Sequence, residues 1–293
     1  MPLLQMKDIS KRFGPTVALD QVEMEVHSGD VVALIGENGA GKSTLLKILS
    51  GAHRADRGEM FIEGRPYCPR GPIDARNCGI AMIYQELNLA PDLSVEDNLL
   101  LGQSGTGYGA LIRKRQRQRV RDVLQTVGLH SLNPTSLVGE QSVATQQLIE
   151  VSRALISNAK IILFDEPTSS LPQQDVAQLF EIISRLKERG IGIVYISHFL
   201  EEVRNVADRY RVLRDGQSVG DGDISEVSDP EIISMMVGRD VQDLYPTIPH
   251  SPGETRLKVL GLKDSLAMNT TDLSIRSGEI FGIAGLVGSG RTE

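Results

Sequence analysis

Residues Gly36-Glu37-Asn38-Gly39-Ala40-Gly41-Lys42-Ser43-Thr44 fit the pattern G-x-x-x-x-G-K-[ST] and stand between an apolar run, Val31 to Ile35, and a stretch with helical spacing. No other feature constrains the fold as strongly, because a strand that enters a glycine-rich turn and leaves as a helix is the opening of a parallel β-α-β unit. The glycines let backbone N–H groups turn inward to cradle phosphate oxygens. The helix that starts near Lys42 adds its positive N-terminal end. In such a loop Lys42 reaches the β and γ phosphates and the Ser43 hydroxyl can ligate Mg²⁺. At average residue usage the pattern arises by accident in roughly one chain of this length per hundred.

The rest of the chain supports a parallel sheet covered by helices, since Val- and Ile-rich runs alternate with helical patterns. Buried strands are predicted at Val31 to Ile35, Ile80 to Tyr84, Ile161 to Phe164 and Gly192 to Ile196. Shorter alternating segments at Leu3 to Lys7, Val22 to Val26, Glu59 to Glu63 and Tyr210 to Arg214 predict an antiparallel β patch beside this core. Between Val95 and about Ser157 the helix patterns Val95 to Leu101, Ile112 to Val127 and Thr145 to Ile156 predict an inserted helical subdomain.

Ile161-Ile162-Leu163-Phe164-Asp165-Glu166-Pro167 is an apolar strand that ends on two acids. Open α/β sheets deliver the carboxyl ends of their strands to the ligand. Successive residues point to opposite sides, so the two acids cannot share one task. Asp165 is assigned to Mg²⁺, and Glu166 to the attacking water as general base or water-positioning group. Alone, the pair fits a solvated strand end equally well; beside the phosphate loop it reads as chemistry.

With 293 residues there is room for one large domain and a remainder, since domains hold roughly 100 to 200 residues. A net charge of −7 argues against a dedicated nucleic-acid binder, whose surface is basic. The run Arg113-Lys114-Arg115-Gln116-Arg117-Gln118-Arg119-Val120-Arg121 lacks interleaved aromatics and reads as a solvated helical face. Apolar runs stop far short of the roughly 18 residues that span a bilayer, and the N-terminus lacks the pattern of a signal peptide. A cytoplasmic location is expected. Cys68 and Cys78 have no metal-site spacing and read as reduced thiols without a role.

From Gly238 to Glu254 three prolines and no periodicity mark a linker. Beyond it Ser277-Gly278-Glu279-Ile280-Phe281-Gly282-Ile283-Ala284-Gly285-Leu286-Val287-Gly288-Ser289-Gly290-Arg291 matches the segment from Ser28 to Lys42 without a gap. The expected layout is a first domain over 1–238, a linker over 239–256 and the start of a second, similar domain over 257–293. The chain reads as a fragment of a longer protein with two such halves.

Together these motifs resemble ABC ATPases, a class of P-loop NTPases, and the resemblance covers essentially the whole chain. It implies roles for residues that would otherwise read as structural. Gln85, in Tyr84-Gln85-Glu86-Leu87-Asn88-Leu89, corresponds to the family's glutamine that touches Mg²⁺ or water and senses the membrane partner. His198, ending Tyr195-Ile196-Ser197-His198, corresponds to the histidine that contacts the γ phosphate. Phe13, in Ser10-Lys11-Arg12-Phe13-Gly14, matches the aromatic that stacks on adenine, although by itself it reads nearly as well as a small core aromatic. The family's signature, Leu-Ser-Gly-Gly-Gln, stands here as Gln141-Ser142-Val143-Ala144-Thr145, so that only Ser142 survives to meet a γ phosphate across a dimer interface.

The wording of these motifs, with Val212-Leu213-Arg214-Asp215-Gly216, is similar to the branch that imports ribose, galactose, xylose and related monosaccharides. That branch fuses two ATP-binding halves, the second with Arg in place of the loop lysine, and Arg291 fits. The resemblance implies ATP and Mg²⁺ as ligands and ATP hydrolysis that powers sugar import, with ribose as first guess. It also implies an integral membrane permease, a periplasmic or extracellular sugar-binding protein acting through it, and pairing with the chain's own second half. The place of such a protein is the cytoplasmic face of the inner membrane. A soluble ABC ATPase acting on nucleic acid or ribosomes is the alternative. A P-loop kinase has no use for Gln85, Ser142 and His198, and the Asn-Lys-x-Asp tetrapeptide that reads guanine is absent.

Overall fold

The computed structural model describes residues 1–102, 110–169, 171–238, 251–262 and 270–284, and for residues 110–114 the backbone alone. Two compact units divide the chain, Met1–Val241 and Gln242–Glu293. In the first, the elements in chain order are β1 (Leu4–Phe13), β2 (Thr16–Val26), β3 (Val31–Ile35), α1 (Lys42–Leu49), β4 (Arg57–Ile62), β5 (Arg65–Pro66), α2 (Pro72–Asn77) and β6 (Ile80–Ile83). The helices α3 (Val95–Leu100), α4 (Ala110–Thr126) and α5 (Val143–Ile156) follow. The chain then returns through β7 (Ile161–Asp165), α6 (Gln173–Glu188), β8 (Gly192–Ile196), α7 (Leu200–Val206), β9 (Arg209–Arg214), β10 (Gln217–Asp223) and α8 (Asp229–Val237).

Six strands form the main sheet in the order β10-β9-β3-β8-β7-β6. All neighbours from β9 to β6 are parallel, and β10 closes the edge antiparallel to β9. Alternation along each strand feeds two cores. Ile161 and Leu163 of β7 join the cluster shared with α1 and the smaller sheet, while Ile162 and Phe164 join the cluster under α6. All four are fully buried, and each such side chain is worth about 1.5 to 3 kcal/mol of burial. The smaller sheet is antiparallel, in the order β2-β1-β4-β5.

One strand departs from expectation. Tyr210 to Arg214 is predicted in the antiparallel patch, yet β9 lies in the main sheet, parallel to β3 with Ala33 opposite Tyr210 and Ile35 opposite Val212. Burial explains this: Val212 and Leu213 are fully buried on opposite faces, which a one-sided patch cannot provide.

The three helices α3, α4 and α5 have their own small core of Val95, Leu99, Val120, Leu124, Ile149 and Ile156. Within the basic run on α4, Arg117 pairs with Glu96, and Arg119 donates to the Ile156 carbonyl at 2.6 Å. Among the described residues no helix is long and apolar enough to cross a membrane.

In the second unit β11 (Thr255–Leu262) pairs antiparallel with β12 (Thr271–Arg276). Residues 280–284, which align in sequence with β3, form no strand, and Ile280 and Ile283 are exposed. In the first unit β3 is held by β8 on one side and β9 on the other; the second unit has no such pair among its described residues. Residues 239–250 of the linker and the second glycine-rich loop, Gly285 to Arg291, lie outside the described residues.

Candidate functional site

The Gly36–Thr44 loop leaves the carboxyl end of β3, in the middle of the main sheet, and enters α1 at Lys42. Two of its three glycines are sterically required. A Cβ on Gly36 would fall 2.3 Å from the Leu213 carbonyl oxygen, and one on Gly41, where φ is +106°, would fall 2.6 Å from that of Ala18. Glu37, Asn38, Gly39 and Ser43 are exposed, Thr44 is partly covered, and Ala40 is buried. Lys42 is only 6% exposed. Its ammonium donates to the carbonyls of Gly36 at 2.6 Å and Glu37 at 2.9 Å.

Burial lowers the Lys42 pKa, while Glu166, Asp165 and Glu37 pull it back up. The first turn of α1 has no acidic side chain and opens on this lysine. Helix N-terminus and ammonium are therefore both positive with no anion of the chain on that turn, and the arrangement suits a phosphate group.

Asp165 ends β7, paired with Ile196 of β8, and Glu166 N–H donates to the Ile196 carbonyl at 3.0 Å. Burial, and then the charge of Glu166, raises the Asp165 pKa; Lys42, Lys47 and His198 oppose the rise. Glu166 has φ +50°, a left-handed conformation that a residue with a long side chain rarely takes. That twist carries its carboxylate to His198, whose Nε2 lies 2.6 Å from Glu166 Oε1. Lys42, Asp165, Glu166 and His198 thus meet where β3, β7 and β8, three adjacent parallel strands, end. Chemically the group combines a cation, a half-buried acid and an acid–imidazole pair.

The remaining residues assigned from the sequence stand apart from that group in their described contacts. Gln85 is exposed in the turn beyond β6, the strand next to β7. Phe13 is 44% exposed at the end of β1, edge-on to His53 with ring centroids 5.4 Å apart, and Lys11 lies over its ring. That exposure weighs against a core role and leaves a ring face available for stacking. Ser142 is exposed and caps α5, its Oγ accepting from the Thr145 N–H at 3.2 Å.

Two polar networks escaped the sequence reading. In the first, Glu150 and Arg153 of α5 grip one peptide residue of the segment that follows Gln85. Asn88 N–H donates to Glu150 Oε1 at 2.8 Å, and Arg153 donates to the Asn88 carbonyl at 2.7 Å. In the second, three hydroxyls converge on one oxygen of Glu202 in α7. Thr168 Oγ1 donates at 2.9 Å, Tyr195 at 3.1 Å and Ser197 Oγ at 2.6 Å. The one sequence hint is Tyr195, a phenol inside the otherwise apolar strand Gly192–Ile196.

The family described as ABC transporter matches residues 19–169. Two relatives are the ribose import ATP-binding protein RbsA of Chromobacterium violaceum, 45% identical over 98% of this chain, and RbsA 1 of Rubrobacter xylanophilus, 46% identical over 100% of it. The chain spans 57% and 58% of their respective lengths. Among solved structures it is similar to an ATP-binding cassette of an ABC transporter in its ADP conformation, with TM-score 0.71 and 30% identity over 82% of this chain and 100% of that one. A nucleotide-free cassette gives the same TM-score at 31% identity, over 80% of this chain and 98% of that one. A family match over more than half of the sequence, on a mixed sheet whose strand ends gather the glycine loop, the paired acids and the histidine, means that this chain belongs to the ABC transporter family.

Proposed function

We propose that the chain binds ATP with Mg²⁺ at the Gly36–Thr44 loop and hydrolyses it, and that this drives import of a monosaccharide, ribose first, through an integral membrane permease. The meeting of the Lys42 loop, Asp165, Glu166 and His198 at adjacent strand ends carries the reading. In it the loop N–H groups and Lys42 hold the β and γ phosphates, and Phe13 stacks on adenine. Glu166 takes the proton of the attacking water or orients it, and His198 steadies Glu166 and reaches the γ phosphate.

Among the described residues no cluster of three or more His, Cys, Asp or Glu could hold a metal by itself. The donors present fit Mg²⁺ nonetheless: Ser43 hydroxyl, Asp165 carboxylate and Gln85 amide are hard oxygens that leave room for phosphate oxygens and water. Bound there, the ion neutralises charge on the phosphates. The raised Asp165 pKa has the same sense, since a half-buried acid beside a second carboxylate is a ready partner for a cation.

The names of the two relatives, at 45% and 46% identity, support ribose import. Their greater length supports a layout of one cassette over 1–238, a linker over 239–256 and the opening of a second cassette from 257. In that layout each site joins one half's phosphate loop to the other half's signature. The intact loop at Gly36 to Thr44 meets the signature of the second half, and Ser142 faces the Arg291 loop. We further place the protein at the cytoplasmic face of the inner membrane, served by a sugar-binding protein on the other side. Uptake of labelled ribose in a strain lacking the gene tests the substrate. Uptake should be lost, restored by the intact gene and not by a Lys42→Ala copy; unimpaired ribose uptake would move the assignment to another sugar. Copurification with a permease separates this reading from a soluble ABC ATPase.

A further inference from the structure

We propose that Glu202 is the positioning residue that fixes the Glu166–His198 pair, by gathering the two loops that carry them onto one carboxylate oxygen. The inference rests on the hydrolytic reading of that pair. Thr168 lies two residues after Glu166, Ser197 directly precedes His198, and Tyr195 lies on β8 opposite Phe164 of β7; all three hydroxyls donate to Glu202 Oε2. Ser197 Oγ also accepts from the Phe199 N–H at 3.0 Å, so the backbone is tied on both sides of His198.

A single anionic oxygen suits three donors better than a neutral one, because charge-assisted bonds are shorter and stronger. The cost of losing it is uneven. Tyr195 is fully buried, and without Glu202 its hydroxyl would be left without this acceptor in the core. Glu166 meanwhile sits in a left-handed conformation that only its surroundings can hold. The loops after β7 and β8 are otherwise joined by the Glu166 N–H to Ile196 bond and by the Glu166–His198 contact itself. Glu202 therefore sets the distance between the acid and the imidazole without touching substrate.

The competing explanation is that Glu202 only serves the helix, as one of two acids in the first turn of α7. Glu201 is the other, exposed and in the same turn, and it provides the control. The experiment uses the full chain, with ATP affinity from a fluorescent ATP analogue and hydrolysis from single-turnover assays at saturating ATP. Glu202→Leu should slow hydrolysis about tenfold to a hundredfold, the penalty of small misplacements at a reacting centre, with affinity held within about threefold. Glu202→Gln, which keeps an acceptor oxygen, should recover most of the rate, and Glu201→Gln should match wild type. Combined with His198→Ala, Glu202→Leu should add little further loss, because it acts through that pair.

Equal effects of Glu202→Leu and Glu201→Gln, full additivity with His198→Ala, or a rate loss matched by loss of affinity would each overturn the proposal. Should Glu202→Leu not fold, Tyr195→Phe and Thr168→Val each remove one donor and should each slow hydrolysis several-fold; wild-type rates in both would overturn it equally. Glu166→Gln measured alongside separates the two readings: if that variant hydrolyses ATP at the wild-type rate, the hydrolytic assignment itself has failed.

Discussion

Glu166 Oε1 lies 2.6 Å from His198 Nε2, so the acid that follows β7 and the imidazole that follows β8 form one unit. The pairing ties the side chain of Glu166 in place while its backbone is held left-handed. His198→Ala should accordingly leave ATP bound but slow its hydrolysis by about tenfold or more, through lost orientation of Glu166 and a lost γ-phosphate contact. Paired binding and single-turnover assays check this, and an unchanged rate would remove His198 from the mechanism.

Lys42 offers its ammonium to two carbonyls of its own loop, Gly36 and Glu37. Those bonds hold the charge over the cradle that a phosphate would enter. Lys42→Ala removes a charge-assisted contact worth about 1.5 to 3 kcal/mol, so the Kd for ATP should rise roughly ten- to a hundredfold. Calorimetric titration with ATP measures it; a wild-type Kd would refute the placement of the phosphates.

Asp165 yields a prediction about pH. Burial, and then the neighbouring Glu166 charge, raises its pKa above the ordinary 3.8. A carboxyl raised in this way binds its proton more tightly folded than unfolded. The stability this provides is complete below the unfolded value and is lost as pH rises through the folded one. At neutral pH the ionised Asp165 therefore weighs on the empty chain. Asp165→Asn should have the higher Tm without nucleotide at about pH 7, with the gap closing toward about pH 4, and it should lose the dependence of nucleotide binding on Mg²⁺. Thermal scans across that range decide the matter. A lower Tm for the variant at neutral pH would contradict the direction of the shift.

Much of this arrangement is legible in the sequence, for local reasons. The strand, loop and helix from Val31 to Leu49 and the apolar run ending at Asp165 announce themselves because one short segment carries both the fold signal and the chemistry. Tyr210 to Arg214 is misread because a short alternating strand says nothing of its neighbour, and its partner β3 is remote in sequence. The Glu202 cluster is not legible at all. Tyr195, Ser197 and Glu202 are ordinary polar residues with no motif spacing, and only the pairing of β7 with β8 brings Thr168 from a separate segment onto the same oxygen. Asn88 is held likewise by two residues of α5 that no spacing rule connects to it.

The central claim, that Glu166 activates water against an ATP held by the Lys42 loop, is tested most directly by single-turnover hydrolysis in Glu166→Gln with ATP affinity measured on the same sample. The amide keeps the shape of the side chain but cannot accept a proton. The account predicts affinity within about threefold of wild type and hydrolysis slowed by about 10² to 10⁴, the usual contribution of a general base. Hydrolysis at the wild-type rate, with affinity unchanged, would contradict it and move the base elsewhere, with His198 next in line.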